Sequence, residues 1–96
     1  MQLGEIVGTV VATKKDPKIE GLKLQIVKLI DLNGKHTGAM VVAVDSVGAG
    51  AGEIVLVASG SSARQTPLTE GKPVDCVIMA IIDILEVSGQ KRYVKS

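Results

Sequence analysis

Three glycines at alternate positions, Gly48, Gly50 and Gly52, make the segment that most invites a chemical reading. Glycine-rich loops can wrap a phosphate with their backbone amides. A dinucleotide loop needs Gly-x-Gly-x-x-Gly between a strand and a helix, so that the helix N-terminus meets the pyrophosphate. Here the spacing is Gly-x-Gly-x-Gly, and the next residues, Ile54-Val55-Leu56-Val57, read as a strand. A P-loop ends in Gly-Lys-Ser/Thr. This one ends in Gly52-Glu53, and a carboxylate there repels phosphate. The residues favour a loop whose backbone packs close to something.

Other reactive side chains are scattered. Ser46 or Ser61 with His36 and Asp31 or Asp83 has the residue types of a nucleophilic triad. Nothing around either serine resembles a nucleophile elbow. Asp75 and Asp83 fall on one strand face ~26 Å apart at strand rise, too far to share a proton-transfer step. His36 stands alone beside the Asn33-Gly34 turn and reads as a surface residue. Cys76, the single cysteine, has no His or Cys near it in sequence, so neither metal nor cofactor is expected. It opens the apolar run Val77-Ile78-Met79-Ala80-Ile81-Ile82 and reads as a small buried hydrophobe in a cytosolic chain.

Charge excludes two further classes. Eleven basic and ten acidic residues give a net charge of +1, too little to gather nucleic acid or an anionic membrane. Single-stranded nucleic acid also wants aromatic platforms, and Tyr93 is the only aromatic residue. The N-terminus lacks a basic stretch of the signal-peptide kind, and no uncharged apolar run approaches the ~18–20 residues of a membrane helix.

The elements that must carry these residues are strands. The chain is 46% hydrophobic, and that mass is Val, Ile, Leu and Ala. Branched side chains of this kind pack well on a pleated surface. Residues 2–13, 22–32, 39–45, 53–58 and 74–87 read as strands, and 92–94 as a short terminal one. Residues 14–21 and 66–72 read as polar loops. Leu22, Leu24 and Ile26 share one face of the second strand and Lys23 and Gln25 the other. Lys28 then breaks the pattern, which predicts a bulge near Ile26–Val27. Asn33-Gly34 signals a hairpin. Ser61 is placed to cap one helical turn through Ala63-Arg64-Gln65. Ninety-six residues make one domain, 1–96. Five main strands without a long helix predict an all-β fold, a small five-stranded OB-like barrel with one short helical turn.

The last long strand is apolar on both faces. A small barrel hides one face, and the other normally meets water. With no helix available to cover them, Val77, Met79 and Ile81 would form an exposed apolar patch, and a neighbouring subunit is the simplest cover.

Several segments together carry a family resemblance. They are Gly8-Thr9-Val10-Val11-Ala12-Thr13, Gly21-Leu22-Lys23-Leu24, the run from Val42 to Glu53, Val55-Leu56-Val57, Gly60-Ser61-Ser62-Ala63-Arg64 and Pro73-Val74-Asp75. In this order and at this length they resemble the EutN/CcmL family, the pentameric vertex proteins of bacterial microcompartment shells. The resemblance implies an OB-like barrel and a non-enzymatic structural role in the shell, inside the bacterial cytoplasm. It implies a homopentamer whose edges meet hexameric shell proteins. Gly48, Ala49, Gly50 and Gly52 would then let loops of adjacent subunits approach closely, and Gly60, Ser61, Ser62 and Ala63 would lie at a contact or near the axis. Arg64 is either an interface hydrogen-bond donor or an intrachain brace. Asp45 is placed to accept hydrogen bonds from the loop amides. Two rival readings are an OB-type binding module for nucleic acid or a small ligand, and an enzyme using the glycine loop.

Overall fold

The computed structural model describes the chain from Met1 to Ser96. Five strands, β1 (Gln2–Val10), β2 (Leu24–Ile30), β3 (His36–Asp45), β4 (Ile54–Ser59) and β5 (Cys76–Ile81), close into a barrel in the order β1-β2-β3-β5-β4. All neighbours are antiparallel except β3 and β5, which run parallel where Val44 faces Val77. Closure removes free sheet edges. Two more strands, β6 (Ile84–Val87) and β7 (Gln90–Val94), form a separate two-stranded arm. Short 3₁₀ turns occupy Pro17–Ile19 and Gly60–Arg64. No helix is long and apolar enough to cross a membrane.

The single last strand expected over 74–87 is two strands. It breaks at Ile82–Asp83, and its second part turns back through Ser88 and Gly89 to pair with β7. Both turn residues have positive φ, 52° and 77°, the geometry that matches the twist of a tight hairpin. At the other hairpin Gly34 has φ +80°, and the Asp31 carboxylate accepts the amides of Asn33 and Lys35. β3 starts at His36, three residues earlier than expected, because the ladder slips around Gly38 rather than ending there.

The face assignment of β2 is the reverse of the expected one. Gln25, Val27 and Leu29 point inward, and Leu24, Ile26 and Lys28 point outward. Alternation therefore runs from Leu24 to Leu29 and Lys28 needs no bulge; it ends at Ile30, also buried, where the pairing with β3 slips. The bulge sits opposite, in β1, where Ile6 pairs with Val27 and Gly8 with Ile26, leaving Val7 as the extra residue.

β5 contains a second correction. Val57 faces Ile78 while Leu56 faces Ala80, so Met79 is a bulge residue. A bulge switches faces. Ile81 accordingly packs against the main core beside Ile6, Val27, Val55 and Ile78. Val77 is wholly buried in a smaller cluster with Val44, Ala58, Ala63 and Val74. The 3₁₀ turn supplies Ala63 as the cover that was expected to be missing. Val77 is thus a residue of the chain's own core and not a subunit contact, and Met79 and Ile81 are only partly exposed.

Candidate functional site

The glycine loop joins β3 to β4 and is held by a buried polar network. Asp45, almost fully buried, receives the amides of Val47 (3.0 Å) and Gly48 (2.9 Å) on Oδ1. This is the amide acceptance expected of it. Gln25, 2% exposed, donates through Nε2 to the Ala49 carbonyl (2.9 Å) and to Asp45 Oδ2 (3.4 Å). The Thr9 hydroxyl donates to Gln25 Oε1 (2.9 Å). Burial alone would raise the Asp45 pKa. Donation from the Val47, Ala49 and Gly48 amides and from Gln25 overrides it and holds the carboxyl below its ordinary value. The far end of the loop is tied to β1 by Gly52 N–H to the Ile6 carbonyl and Ile6 N–H to the Glu53 carbonyl.

Two kinds of glycine therefore occur. A Cβ on Gly4 would collide with Val27, so Gly4 is required by crowding. Gly48 and Gly52 have nothing of their own chain within 4 Å of such a Cβ. What they require is conformation, with φ +77° and +84°, in the left-handed region that side chains disfavour. Gly50 has no such φ and donates its amide to Glu53 Oε1 at 2.6 Å. Ala49 is buried under the loop, so its side chain serves the chain's own core.

Gly60 to Arg64 form the expected turn with different details. Ser59, not Ser61, occupies the cap, and its side chain makes no capping hydrogen bond. Gly60 enters at φ +64° and donates to the Asp75 carbonyl. Ser61 and Ser62 are exposed, whereas Ala63 is fully buried against Val77. Arg64 reaches back to donate to the Val74 carbonyl (3.1 Å), an intrachain brace. Thr69, wholly buried, donates to the Ala63 carbonyl (2.6 Å) and ties the turn to the following loop.

The triad types are not assembled. Ser46 Oγ donates to the Ile78 carbonyl, His36 Nε2 pairs with Glu5 Oε1 on the surface at 2.6 Å, and Asp31 caps its hairpin. Cys76 is buried, and burial, helped by the Asp75 charge, pushes its thiol pKa up and keeps it protonated. No cluster of His, Cys, Asp and Glu is arranged to hold a metal.

Gln25 and Thr69 were missed in the sequence. For Gln25 a signal existed, since it shares strand parity with Val27 and Leu29. Thr69 lies in a segment of polar composition that reads as solvated loop.

The family model described as ethanolamine utilisation protein EutN/carboxysome matches residues 1–83. The carboxysome shell vertex protein CcmL of Gloeobacter violaceus is 43% identical over 95 residues, covering 99% of this chain and 95% of the relative. Its solved structure superposes with a TM-score of 0.95, covering 99% of this chain and 98% of that one. The bacterial microcompartment shell vertex protein EutN of Salmonella typhimurium is 41% identical over 90 residues, 94% of this chain and 91% of the relative. The GrpN pentameric microcompartment shell protein from Rhodospirillum rubrum superposes with a TM-score of 0.82 at 41% identity, spanning 91% of this chain and all of GrpN. With its barrel, its clamped glycine loop and its Gly60–Arg64 turn on one matching frame, this chain belongs to the EutN/CcmL family.

Proposed function

We propose that this chain is a structural, non-catalytic shell protein of a bacterial microcompartment, whose five copies form a cyclic ring that closes a vertex. The observation that carries the reading is the near-complete match to proteins named shell vertex proteins, one of them solved under a pentameric description. The local chemistry supports it, because Ser46 and His36 are engaged in hydrogen bonds apart from one another and Cys76 is buried. The ring sits in the shell, inside the bacterial cell, with its outer edges against hexameric shell proteins. In it, the backbone of Gly48, Gly50 and Gly52, the turn from Gly60 to Ser62, Arg64 and the β5 bulge at Met79 are the contact elements, while Ile81 turns to the chain's own core. Gly48, Gly52 and Gly60 leave open space where a side chain would stand. That space suits a neighbour's close approach.

Native mass spectrometry tests the assembly. A species at five times the chain mass is expected, and a stable monomer at micromolar concentration overturns the reading. Met79→Asp places a charge at the contact and should release monomers while the far-ultraviolet circular dichroism stays that of a folded barrel. Normal assembly of this variant removes Met79 from the contact.

A further inference from the structure

The β2–β3 hairpin carries the longest exposed stretch of the chain, since every residue from Asp31 to Met40 is exposed. The regular ladder stops short of its tip. Pairing runs from Leu24 opposite Val44 to Lys28 opposite Met40, then slips. Thr37, Gly38 and Ala39 of β3 stand against Leu29 alone before Ile30 meets His36. Beyond the slip the tip is held by its own short bonds. The Asp31 N–H donates to the Lys35 carbonyl (2.9 Å) and the Gly34 N–H to the Asp31 carbonyl (3.0 Å). Asp31 Oδ1 accepts the amides of Asn33 (2.8 Å) and Lys35 (3.1 Å). Side-chain ties to the barrel are long or exposed: Thr37 Oγ1 to the Leu29 carbonyl (3.4 Å), and the His36–Glu5 pair. Bonds open to water at a loop tip break locally at small cost.

At the apex stands Asn33-Gly34, and Asn33 is the only asparagine in the chain. Asparagine is among the chemically labile side chains. Asn33 joins the turn through its main-chain N–H, which leaves its side-chain amide free to rotate. Gly34 has φ +80° and nothing within 4 Å of where a Cβ would stand. With no side chain on Gly34, its nitrogen is open to the Asn33 amide carbon.

We propose that Asn33 is a site of spontaneous modification by water, its amide becoming a carboxylate through a cyclic imide made with the Gly34 nitrogen. The Gly34 N–H leaves the Asp31 carbonyl and gives its proton to solvent base. The nitrogen attacks Asn33 Cγ. The N–Cγ bond forms, the Cγ–Nδ2 bond breaks, and ammonia leaves with a proton from solvent. The five-membered ring then adds one water, the only co-reactant. Opening at the main-chain carbonyl carbon gives an isoaspartyl link, in which the chain runs through Cγ and is one atom longer. Opening at Cγ restores the ordinary main chain with an aspartyl side chain. Gln2, Gln25, Gln65 and Gln90 would each need a six-membered ring, and Gln25 is also buried and hydrogen-bonded. The chemistry therefore selects Asn33.

Either product adds one negative charge, which takes the formal net charge from +1 to zero. It also sets a second carboxylate close to Asp31. The isoaspartyl link lengthens the turn in which the Asn33 and Lys35 amides must both reach Asp31 Oδ1. None of the ring's contact elements lies in this hairpin, so the site stands independently of the ring reading.

The test follows the full chain for weeks at neutral and at mildly alkaline pH in water enriched in oxygen-18. Trypsin cuts after Lys28 and Lys35 and releases residues 29–35 as one peptide, with a zero-time sample to control for the digestion. Mass spectrometry should show that peptide converted from amide to acid with one oxygen-18 gained, and isoaspartate exceeding aspartate at position 33. Conversion should be faster at the higher pH, because the Gly34 nitrogen must lose its proton. Isoelectric focusing of the whole chain should show a shift of one charge towards acid. Asn33→Gln keeps an amide and blocks the five-membered ring, and should stay unchanged over the same time. Asn33 intact in the folded chain while the free peptide 29–35 converts would mean that the hairpin protects it, and overturns the site. Aspartate without isoaspartate overturns the cyclic route.

Discussion

The glycine loop and the β6–β7 arm are attached to the same region of the barrel and joined by one ion pair, yet they are held in opposite ways. The loop is clamped from inside. Gln25 and Asp45 are buried, every hydrogen bond between them and the loop is intrachain, and Ala49 is sealed beneath it. The arm has its own ladder, a tight turn and an exposed anchor. Breaking a buried polar network is costly because water cannot reach the partner left unpaired. An exposed ion pair contributes little. The loop's shape is thus a property of the single chain. The arm's position rests on the fastenings at its base, the Lys95–Glu53 pair and the Ile82 amide on the Ile54 carbonyl.

The contrast can be broken from either side. Asp45→Ala removes the acceptor of two loop amides and of Gln25, and should cost about 2–3 kcal/mol. The loss is measured by urea unfolding at one fixed protomer concentration, because assembly makes stability concentration-dependent. A loss near zero would mean that the loop is not held from inside. Gly48→Ala meets no neighbour and tests conformation alone. Holding a side chain at φ +77° should cost about 1–2 kcal/mol, against almost nothing for the same change at Gly50. Equal costs at the two positions would remove the distinction between them.

The smallest effect sharpens the arm's side. Glu53 is held below its ordinary value of 4.5 by the Lys95 ammonium and the Gly50 amide, and Lys95 is raised above 10.5 by Glu53. A lowered carboxylate adds stability that is present above its ordinary value and lost as pH falls through the folded one. A raised lysine adds stability that is present below its ordinary value and lost as pH rises through the folded one. The anchor therefore holds across the neutral range and releases first in acid. In a nuclear magnetic resonance titration the Gly50 and Lys95 amides should shift together, with a midpoint below 4.5. A midpoint at or above that value, or independent movement of the two amides, would show that the arm is not anchored there.

Much of the barrel was legible because its signals are local. Branched residues in short runs, the Asn33-Gly34 turn and the small-residue turn at Gly60–Arg64 each lie within a few positions of one another. Errors arose where one residue of offset decides a face. β2 was read inside out because Leu24 and Ile26 outweigh Gln25 by hydropathy, while the core has room for a glutamine whose amide meets Ala49, Asp45 and Thr9. Val77 was read as exposed because its cover, Ala63, comes from fourteen residues upstream.

By itself the sequence determined the class of the fold, the turns at Asn33-Gly34 and Gly60–Arg64, and a family pattern spread over nearly the whole chain. These depend on side-chain shape and on neighbours along the backbone. Only the tertiary structure decided that Met79 is a bulge, that Val7 rather than a residue of β2 absorbs the register slip, that Gln25 clamps the loop, and that residues past Asp83 leave the barrel. Each of these depends on which residue of a distant strand stands opposite, and barrel closure sets that register.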